Sequence, residues 1–452
     1  MSYPFKPDLT VLKFDDVIDA IRQRMRDLPD DRTGKNIRYT MERIGMSGFS
    51  VFFMQFPSFL SHQKTMQESL GSSNANTFFG IGEDIPSDNH IRAMLDPTPP
   101  SHLFPLFGQI FGWLSDHNRL TQLRTIGGQL LIALDGAQYH SSKSIHCEKC
   151  NTKTHKDGSV SYSHTVITPV VVSPGVPSVL PLEPEFITPQ DGHKKQDCET
   201  AAAKRWILQY GERYAGQNVT ILGDDLYSRT PLCKAMLSEG FNFLLVCKPA
   251  SHKRLYEWVE EIDSLGKVSH LEVKRRRGKK VETDHYRWIN QLALTDEEDA
   301  LQVNWCEITT TDPAGKTLYR NSFVTNHEIR QENIVELIEA GRTRWKVENE
   351  NNNTLKTKGY HLTHNFGHGK KHLCSVLLTM NLLAFLLHTL FEQMDSRYQL
   401  IRAKLPTRKK FFRDIAALTT YLHFRSFDAL LKFMLDRLEN GPHPPPDYHD
   451  SS

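Results

Sequence analysis

The segment Gln129-Leu-Leu-Ile-Ala-Leu-Asp135 decides how the middle of this chain is interpreted. Its continuous apolar run ends abruptly at an aspartate, a pattern typical of a short strand buried on both faces. A second run, Val219-Thr-Ile-Leu-Gly223, is followed in the same way by Asp224. Each predicted strand therefore delivers a carboxylate at its carboxyl end, where ligands gather in open α/β sheets.

The neighbouring segments predict the rest of a mixed sheet. Residues 164–173 and 176–182 are β-type runs separated by Pro174-Gly175, which predicts a hairpin, and 241–247 predicts a further strand. Residues 197–214 are typical of a helix with Asp197 as its N-cap. Because strands alternate with helices after a hairpin, we expect an α/β fold, a mixed sheet flanked by helices.

The remaining regions differ in composition. Residues 1–125 predict helices separated by polar turns, either a DNA-end-binding region or a helical packing domain. Residues 269–327 alternate in β fashion and predict a β-rich insertion, after which helices are expected over 333–340, 343–355 and 373–391. The expected domains are 1–125, helical; 126–268, first part of the core; 269–327, β-rich insertion; 328–395, core helices; 396–440, C-terminal helical region; and 441–452, a disordered tail.

Composition limits the class of protein. The chain has 452 residues, 39% of them hydrophobic, which is enough for a large core and excludes a fibrous or wholly disordered protein. The chain has 55 Lys and Arg and 53 Asp and Glu, so its positive and negative charges nearly balance. Any surface that binds a polyanion must therefore be a local patch. Seven sparse cysteines are typical of a cytosolic protein.

Two segments bear on localisation. The N-terminal residues include acids at positions 8, 15 and 16 and no apolar stretch, so we expect no secretory signal peptide and a cytoplasmic location. Residues 373–391 approach membrane-spanning length, but polar side chains such as Ser375 and Asn381 interrupt them. We therefore expect 373–391 to form a buried helix of a soluble core.

The two strand-end aspartates indicate a metal site. Close carboxylates repel each other unless a divalent cation neutralises them, and hard oxygen ligands suit Mg²⁺ or Mn²⁺. The simpler alternative is that each aspartate caps a turn, since Asp135-Gly136 is also a turn dipeptide. A third acid, Glu348, follows Arg344 by four positions and would share its helical face. The amides at 349 and 351–353 indicate that this helix lines a polar groove.

Three segments together resemble a known family: LIALDGAQYHSSKSIHC (131–147), VTILGDDLYSRTPL (219–232) and RWKVENENNNTLKTKGYHLTHNFGHG (344–369). They are similar to bacterial insertion-sequence transposases of the DDE type, in the cut-and-paste branch with a β-rich insertion before the final glutamate. The resemblance spans about residues 127–390. It implies an RNase H-like core with acids on the first strand, the fourth strand and a later helix.

Carried onto this sequence, the resemblance assigns Asp135, Asp224 and Glu348 as catalytic acids that bind Mg²⁺ or Mn²⁺. Asp224 is chosen over Asp225, the alternative, because the family's second acid commonly precedes a tyrosine by three positions, here Tyr227. The branch also places Tyr, Arg and Lys around its glutamate. Arg344 fits that pattern, but Gly341 stands at the Tyr position and Leu355 at the Lys position, with Lys356 one residue further on as the nearest candidate phosphate contact.

The resemblance also implies an activity and partners. These are metal-dependent cleavage and strand transfer at the ends of a mobile element, on double-stranded DNA that carries terminal inverted repeats and on target DNA. It implies a homodimer that brings two ends together. Two alternatives stay open: a nuclease with the same core that never joins strands, and a zinc-containing DNA-binding protein without catalysis.

Two other features attract attention. Cys147 and Cys150 have the spacing of half a zinc site, which His155, His164, or His193 with Cys198 would complete; a pair of reduced thiols is the alternative. The basic residues Arg275, Arg276, Arg277, Lys409 and Lys410 are candidate DNA phosphate contacts or simply solvated charges. Trp288 and Trp305 would stack on an unpaired base or, as β-strand tryptophans usually do, pack in the core.

Overall fold

The computed structural model describes residues 12–34, 36–67, 71–189, 197–278, 280–405 and 407–441. The chain folds as two compact units. Unit 1 contains Met1–His117, Ser142–Glu148 and Asn353–Ser452, and unit 2 contains Asn118–Ser141 and Lys149–Asn352. Except for Gly441, the predicted disordered tail lies outside the described residues.

Unit 1 is helical. Its helices are α1 (Phe14–Arg26), α2 (Met41–Phe53), α3 (Phe59–Gln67), α4 (Gly71–Phe79), α5 (Asp88–Leu95), α6 (Pro105–Asp116), α11 (Asn353–Thr357), α12 (Leu373–Met394), α13 (Ser396–Lys404), α14 (Arg408–Tyr421) and α15 (Phe427–Asn440). Helices from the two ends of the chain share one aromatic core. In that core Phe14 of α1 stacks on Phe427 of α15 at 4.2 Å between ring centroids and also contacts Phe391 of α12.

Helix α12 is the apolar segment predicted at 373–391. Among the described residues it is the single helix long and apolar enough to cross a membrane, but 94% of its most apolar window is buried inside the protein. Such burial is typical of the core helix of a soluble protein. The helix begins where the Asp96 carboxylate accepts the backbone N–H groups of Lys370, Lys371, His372 and Leu373.

Unit 2 is mixed α/β. Its helices are α7 (Glu199–Ala215), α8 (Thr230–Ser238), α9 (Lys253–Ser264) and α10 (Ile334–Arg342). Its strands are β1 (Leu130–Ala133), β2 (Gly136–Ser142), β3 (Asn151–Thr154), β4 (Val160–Ile167), β5 (Val170–Ser173), β6 (Val176–Pro181), β7 (Glu185–Ile187), β8 (Val219–Gly223), β9 (Asn242–Val246), β10 (Ser269–Arg277), β11 (Lys280–Ala293), β12 (Gln302–Thr311) and β13 (Thr317–Thr325).

Nine of these strands form one mixed sheet in the order β10-β11-β12-β13-β9-β8-β1-β5-β6. Strands β1, β8 and β9 are parallel, whereas β5, β6 and β10 to β13 are added in antiparallel fashion. The predicted α/β class, a mixed sheet flanked by helices, is confirmed. The segment expected as a β-rich insertion extends this same sheet, because β13 pairs with β9.

Three local predictions are wrong for identifiable reasons. The run 164–173 is not one strand, because Pro169, which has no N–H to donate, separates β4 in a small second sheet from β5 in the large one. Helix α7 begins at Glu199 with Cys198 as the N-cap residue, and Asp197 instead pairs with Arg205. The regular helix expected over 343–355 is replaced by a π-helical turn at Val347–Asn352, where asparagines favour an α-helix poorly.

Candidate active site

The ends of β1 and β8 place two aspartates side by side. The strands are parallel neighbours whose register pairs Ala133 with Leu222, and the Leu134 N–H donates to the Leu222 carbonyl at 2.9 Å. Asp135 and Asp224 each follow the last of these paired residues by two positions. Neighbouring strands lie about 4.8 Å apart, so Asp135 and Asp224 lie close together at the carboxyl ends of β1 and β8.

Arg344 connects Asp135 to the third predicted acid. Its guanidinium lies 3.6 Å from Asp135 Oδ1 and donates to Glu348 Oε1 at 3.0 Å. The Asp135 side chain is only 18% exposed, whereas that of Glu348 is 54% exposed. The structure therefore brings Asp135, Asp224 and Glu348 to one region, with a single guanidinium shared by two of them.

The Asp135 carboxyl is unusual in its protonation. Burial raises its pKa to about 7, and although the Arg344 guanidinium lowers the pKa, the negative charges of Glu348, Glu199 and Asp224 raise it again. One cation is therefore not enough to compensate for the desolvation and the crowding of acids. A site of this kind favours additional positive charge, and perturbed carboxyls in a cleft are typical of functional sites.

The structure separates the roles of Asp224 and Asp225. The Asp225 carboxylate accepts the backbone N–H of Lys248 at 2.6 Å and the hydroxyl of Ser251, so it holds the loop between β9 and α9. Asp224 accepts the N–H of Leu226 at 2.9 Å within its own turn and lines a groove. Asp225 therefore has a structural function, and Asp224 is the acid that faces the open site.

Glu348 lies on the π-helical turn, and a buried lysine fixes that turn to the sheet. Lys346 is 7% exposed and donates to the carbonyls of Ser173 and Val176, at 2.5 and 2.6 Å, in the hairpin between β5 and β6. Burial lowers the pKa of Lys346. Sequence reasoning did not identify Lys346, since only the distant hairpin carbonyls explain a buried lysine at that position.

Gly341 precedes this segment at a point of close packing. A Cβ at this position would lie 2.7 Å from the ring of Phe323 on β13. A side chain there would require movement of the Phe323 ring, the sheet or helix α10. The close approach of α10 to the sheet therefore explains the glycine at this position.

A groove of about 360 Å³ lies beside Asp224. Its positive side chains are Lys248, Arg342 and Arg344, and its aromatic ones are Tyr319 and Trp345. The Arg342 guanidinium lies 4.4 Å from the centroid of the Tyr319 ring, and Trp345 is 45% exposed. Cations and exposed aromatic surface next to a carboxylate suit a phosphodiester with its adjoining base or sugar.

The predicted metal ligands Cys150 and His164 are both buried in unit 2. A thiol and an imidazole suit a metal such as zinc. Among the described residues, Asp135, Asp224 and Glu348 do not form a group whose ligand atoms all lie within 4.8 Å of one another.

The Cys150 and His164 side chains are in contact. Cys150 Sγ lies 3.4 Å from His164 Nε2, close to the roughly 3.5 Å expected between two ligands of a tetrahedral zinc. His164 is one of the histidines predicted to complete the zinc site. His155 instead contacts Ser161 at 2.9 Å, Cys198 contacts Thr200, and His193 lies outside the described residues.

The predicted DNA-contacting residues of unit 2 have different surroundings. Arg275 pairs with Asp284 at 2.8 Å and with Glu339 at 3.0 Å, so protein carboxylates hold its guanidinium and its assignment as a phosphate contact is not supported. Arg276 is exposed and donates to the carbonyl of Gly278. Arg277 lies on β10, and its side chain is outside the described part of the chain.

The predicted contacts of unit 1 lie on α11 and α14. Lys356 and Lys409 are exposed, and Lys410 pairs with Asp414 at 3.0 Å. Arg408, their neighbour in sequence, is a core residue that pairs with Glu392 at 2.6 Å. Only part of this basic stretch therefore offers charge to a partner.

Trp288 and Trp305 are 7% and 0% exposed. Both pack in the sheet, where Trp305 contacts Tyr256 and Arg287. The core alternative is therefore confirmed for these tryptophans, and the exposed tryptophan near the acids is Trp345.

No protein-family model matches this chain, and no curated protein is significantly similar to it.

Proposed function

We propose that this protein is a DNA transposase of the DDE type, with Asp135, Asp224 and Glu348 as its catalytic acids. The observation that carries the proposal is the meeting of three acids from distant segments. Two of them follow adjacent parallel strands, and the third shares the Arg344 guanidinium with the first.

The topology supports an RNase H-like core. In the large sheet, β1, β5, β6, β8 and β9 follow one another along the chain and lie in the order β6-β5-β1-β8-β9. The acids follow the first and fourth of these strands, and the glutamate comes from a later helical segment, as the family resemblance implies. Strands β10 to β13 occupy the chain between the fifth strand and the glutamate.

The donor set fits Mg²⁺ or Mn²⁺, since carboxylate oxygens are the ligands these cations prefer. Burial raises the pKa of Asp135, the Arg344 guanidinium lowers it, and the negative charges of Glu348, Glu199 and Asp224 raise it again, so a bound cation would favour the ionised carboxylate. When bound, divalent ions would activate the attacking oxygen and stabilise the leaving one at phosphorus. In the described structure Arg344 occupies the position between Asp135 and Glu348, so its guanidinium must turn away for both carboxylates to bind one ion.

The protein's own residues have separable tasks in this proposal. Asp135, Asp224 and Glu348 hold the cations, and Arg344, on leaving the acids, contacts the phosphate. Lys248 and Arg342 line the groove beside Asp224, where they neutralise the DNA backbone and orient it. Water attacks first and nicks the element's end, and the freed 3′-hydroxyl then attacks the opposite strand or the target DNA.

The partners follow from the same proposal. They are duplex DNA with the element's terminal inverted repeats, target DNA, and a second copy of the chain that holds the other end. The protein acts in the cytoplasm, where the DNA is. Exposed Arg276, Lys356 and Lys409 are the remaining candidates for backbone contacts outside the groove.

The test uses duplex DNA that carries the repeats flanking the element, with Mg²⁺. We expect Asp135→Ala and Glu348→Gln to reduce end cleavage to background while end binding persists. The matched control is Glu350→Gln on the same π-helical turn, which should cleave like the wild type. Cleavage retained in both acid variants would refute the assignment.

A second substrate separates the alternatives. A pre-cleaved end with a free 3′-hydroxyl should be joined to a target plasmid by the wild-type protein. Cleavage without joining would indicate the nuclease with the same core. Binding without either reaction, together with bound zinc, would indicate the non-catalytic DNA-binding protein, which the contact between Cys150 and His164 alone would support.

A further inference from the structure

A fourth acid, Glu199, lies next to the proposed catalytic acids. It is in the first turn of α7, and one of its oxygens, Oε1, accepts two hydrogen bonds. The Gly136 N–H donates to it at 3.1 Å, and the Tyr227 hydroxyl donates to it at 2.7 Å. Neither the sequence motifs nor the proposed function assign a task to this side chain.

The two donors belong to the segments that carry the aspartates. Gly136 directly follows Asp135 after β1. Tyr227 closes the turn that begins at Asp224, since its N–H donates to the Asp224 carbonyl at 3.1 Å. A single carboxylate oxygen therefore connects the loop after β1 to the loop after β8.

The packing around this connection is tight. A Cβ on Gly136 would lie 2.5 Å from Glu199 Oε2, and a Cβ on Gly223 would lie 2.8 Å from the Cβ of Tyr227. Tyr227 is fully buried. Glycine at both strand ends is therefore needed for Glu199 and Tyr227 to reach their positions, and a small shift of either loop would break the contact.

We propose that Glu199 is a positioning residue, which fixes the spacing of Asp135 and Asp224 through Gly136 and Tyr227. This inference rests on the proposed function. It explains why the tyrosine stands three residues after the second acid: at that position its hydroxyl reaches the carboxylate that also holds the first acid's loop.

The experiment compares Glu199→Ala, Glu199→Gln and Tyr227→Phe, with Glu212→Ala on the exposed side of the same helix as control. Because both donors share Oε1, the amide oxygen of glutamine can accept both hydrogen bonds. Four quantities are measured for each variant: the end-cleavage rate at saturating Mg²⁺, the affinity for Mn²⁺ by calorimetry, end binding, and Tm.

We expect Glu199→Ala to lower the cleavage rate and the Mn²⁺ affinity at least about tenfold while end binding is kept. Glu199→Gln and Glu212→Ala should stay within about threefold of the wild type, and Tyr227→Phe should fall between. Glutamine as impaired as alanine would overturn the proposal and make Glu199 a metal ligand. Alanine with wild-type cleavage, or with losses that follow Tm and end binding alike, would also overturn it.

The outcome is separable from that of the proposed function. If Asp135→Ala cleaved DNA normally, the proposed function would fail whatever Glu199 did. If Asp135→Ala were inactive and Glu199→Ala fully active, only the positioning inference would fail.

Discussion

At the scale of single residues, the position of Asp135 is unfavourable for stability but is the one that its proposed function requires. It follows a fully buried strand, is itself mostly buried, and has three other carboxylates nearby. Without a cation, its ionised form is therefore unfavourable. Residues that function needs and stability opposes are typical of active sites.

The raised pKa of Asp135 makes the stability of the folded protein depend on pH. The folded protein keeps the Asp135 proton up to a pKa of about 7, whereas the unfolded chain releases it near 3.8. Stability from this group is therefore highest below pH 4 and falls as the pH rises to about 7. In metal-free buffer at pH 8, we expect the Asp135→Asn variant to be more stable than the wild type. Its free energy of unfolding should be roughly 2–4 kcal/mol higher.

Urea unfolding at several pH values measures this difference, which should shrink toward zero as the pH falls below 3.8, because the Asp135 carboxyl is then neutral in both the folded and the unfolded state. Mg²⁺ should stabilise the wild type at pH 8 and leave the asparagine variant almost unchanged. A variant that is less stable than the wild type at pH 8 would contradict the expectation.

Asp135 and Asp224 could be located from the sequence, whereas Glu199 could not. A continuous apolar run that ends in an aspartate is enough to predict β1 with Asp135 and β8 with Asp224, because burial on both faces leaves its mark in sequence. Glu199 leaves no such mark. Its function depends on a contact with Gly136, 63 positions earlier in the chain, and no local pattern encodes that distance.

At the scale of elements, the beginning of α12 depends on one side chain. Without the Asp96 carboxylate, the N–H groups of Lys370, Lys371 and Leu373 would lose their acceptor, while that of His372 would keep the Asp96 backbone carbonyl. Burial alone would raise the pKa of Asp96, but these donors outweigh it and lower the pKa. Asp96 appears in sequence only as the start of a proline-rich connector, so its contact with residues 370–373 is a tertiary feature.

We expect Asp96→Asn to lower the free energy of unfolding by about 1–3 kcal/mol at pH 7, because a charged acceptor is lost from a multiply bonded position. Since the folded pKa is lowered, the contribution of Asp96 is present above pH 3.8 and is lost as the pH falls through the folded value. The variant and the wild type should therefore converge at low pH.

Denaturant unfolding of the whole chain, followed by fluorescence and circular dichroism, measures the loss of unfolding free energy. Asp88→Asn is the matched control. Asp88 makes a partly exposed ion pair with Arg92 and accepts the Asn89 N–H within α5, and its loss should change stability by about 0.5 kcal/mol or less. Equal effects of the two substitutions would show that Asp96 does not cap α12.

The segment around Glu348 is the element that sequence describes least well. Helical periodicity assumes 3.6 residues per turn and cannot anticipate a π-helical turn. Even so, the pairing of Arg344 with Glu348, four positions apart, is present in the structure, because the contact lies at the beginning of that turn. The anchor at Lys346 depends on the β5–β6 hairpin and lies beyond any local pattern.

At the scale of the whole molecule, contacts between residues far apart in the chain are the features that the sequence does not predict. Residues 269–327 look separate because their alternation differs from that of the buried strands, yet β13 pairs with β9 and joins them to the large sheet. The predicted zinc ligands are similar: the spacing of Cys147 and Cys150 is visible in the sequence, but only the fold shows that His164, one of 21 histidines, contacts Cys150.

The set of predicted zinc ligands is Cys147, Cys150 and His164. Cys150 and His164 are 4% and 3% exposed, and the 3.4 Å between the thiol and the imidazole is the spacing of two zinc ligands. Protein washed with a weak chelator should retain about one zinc per chain. Cys150→Ser should retain less than half an equivalent and should lower Tm, because metal binding stabilises the folded state. Cys198→Ser, which changes an exposed cysteine outside the set, should keep both the zinc and the Tm. Elemental analysis and thermal unfolding measure the two quantities, and a wild-type protein with under half an equivalent would leave Cys147 and Cys150 as ordinary reduced thiols.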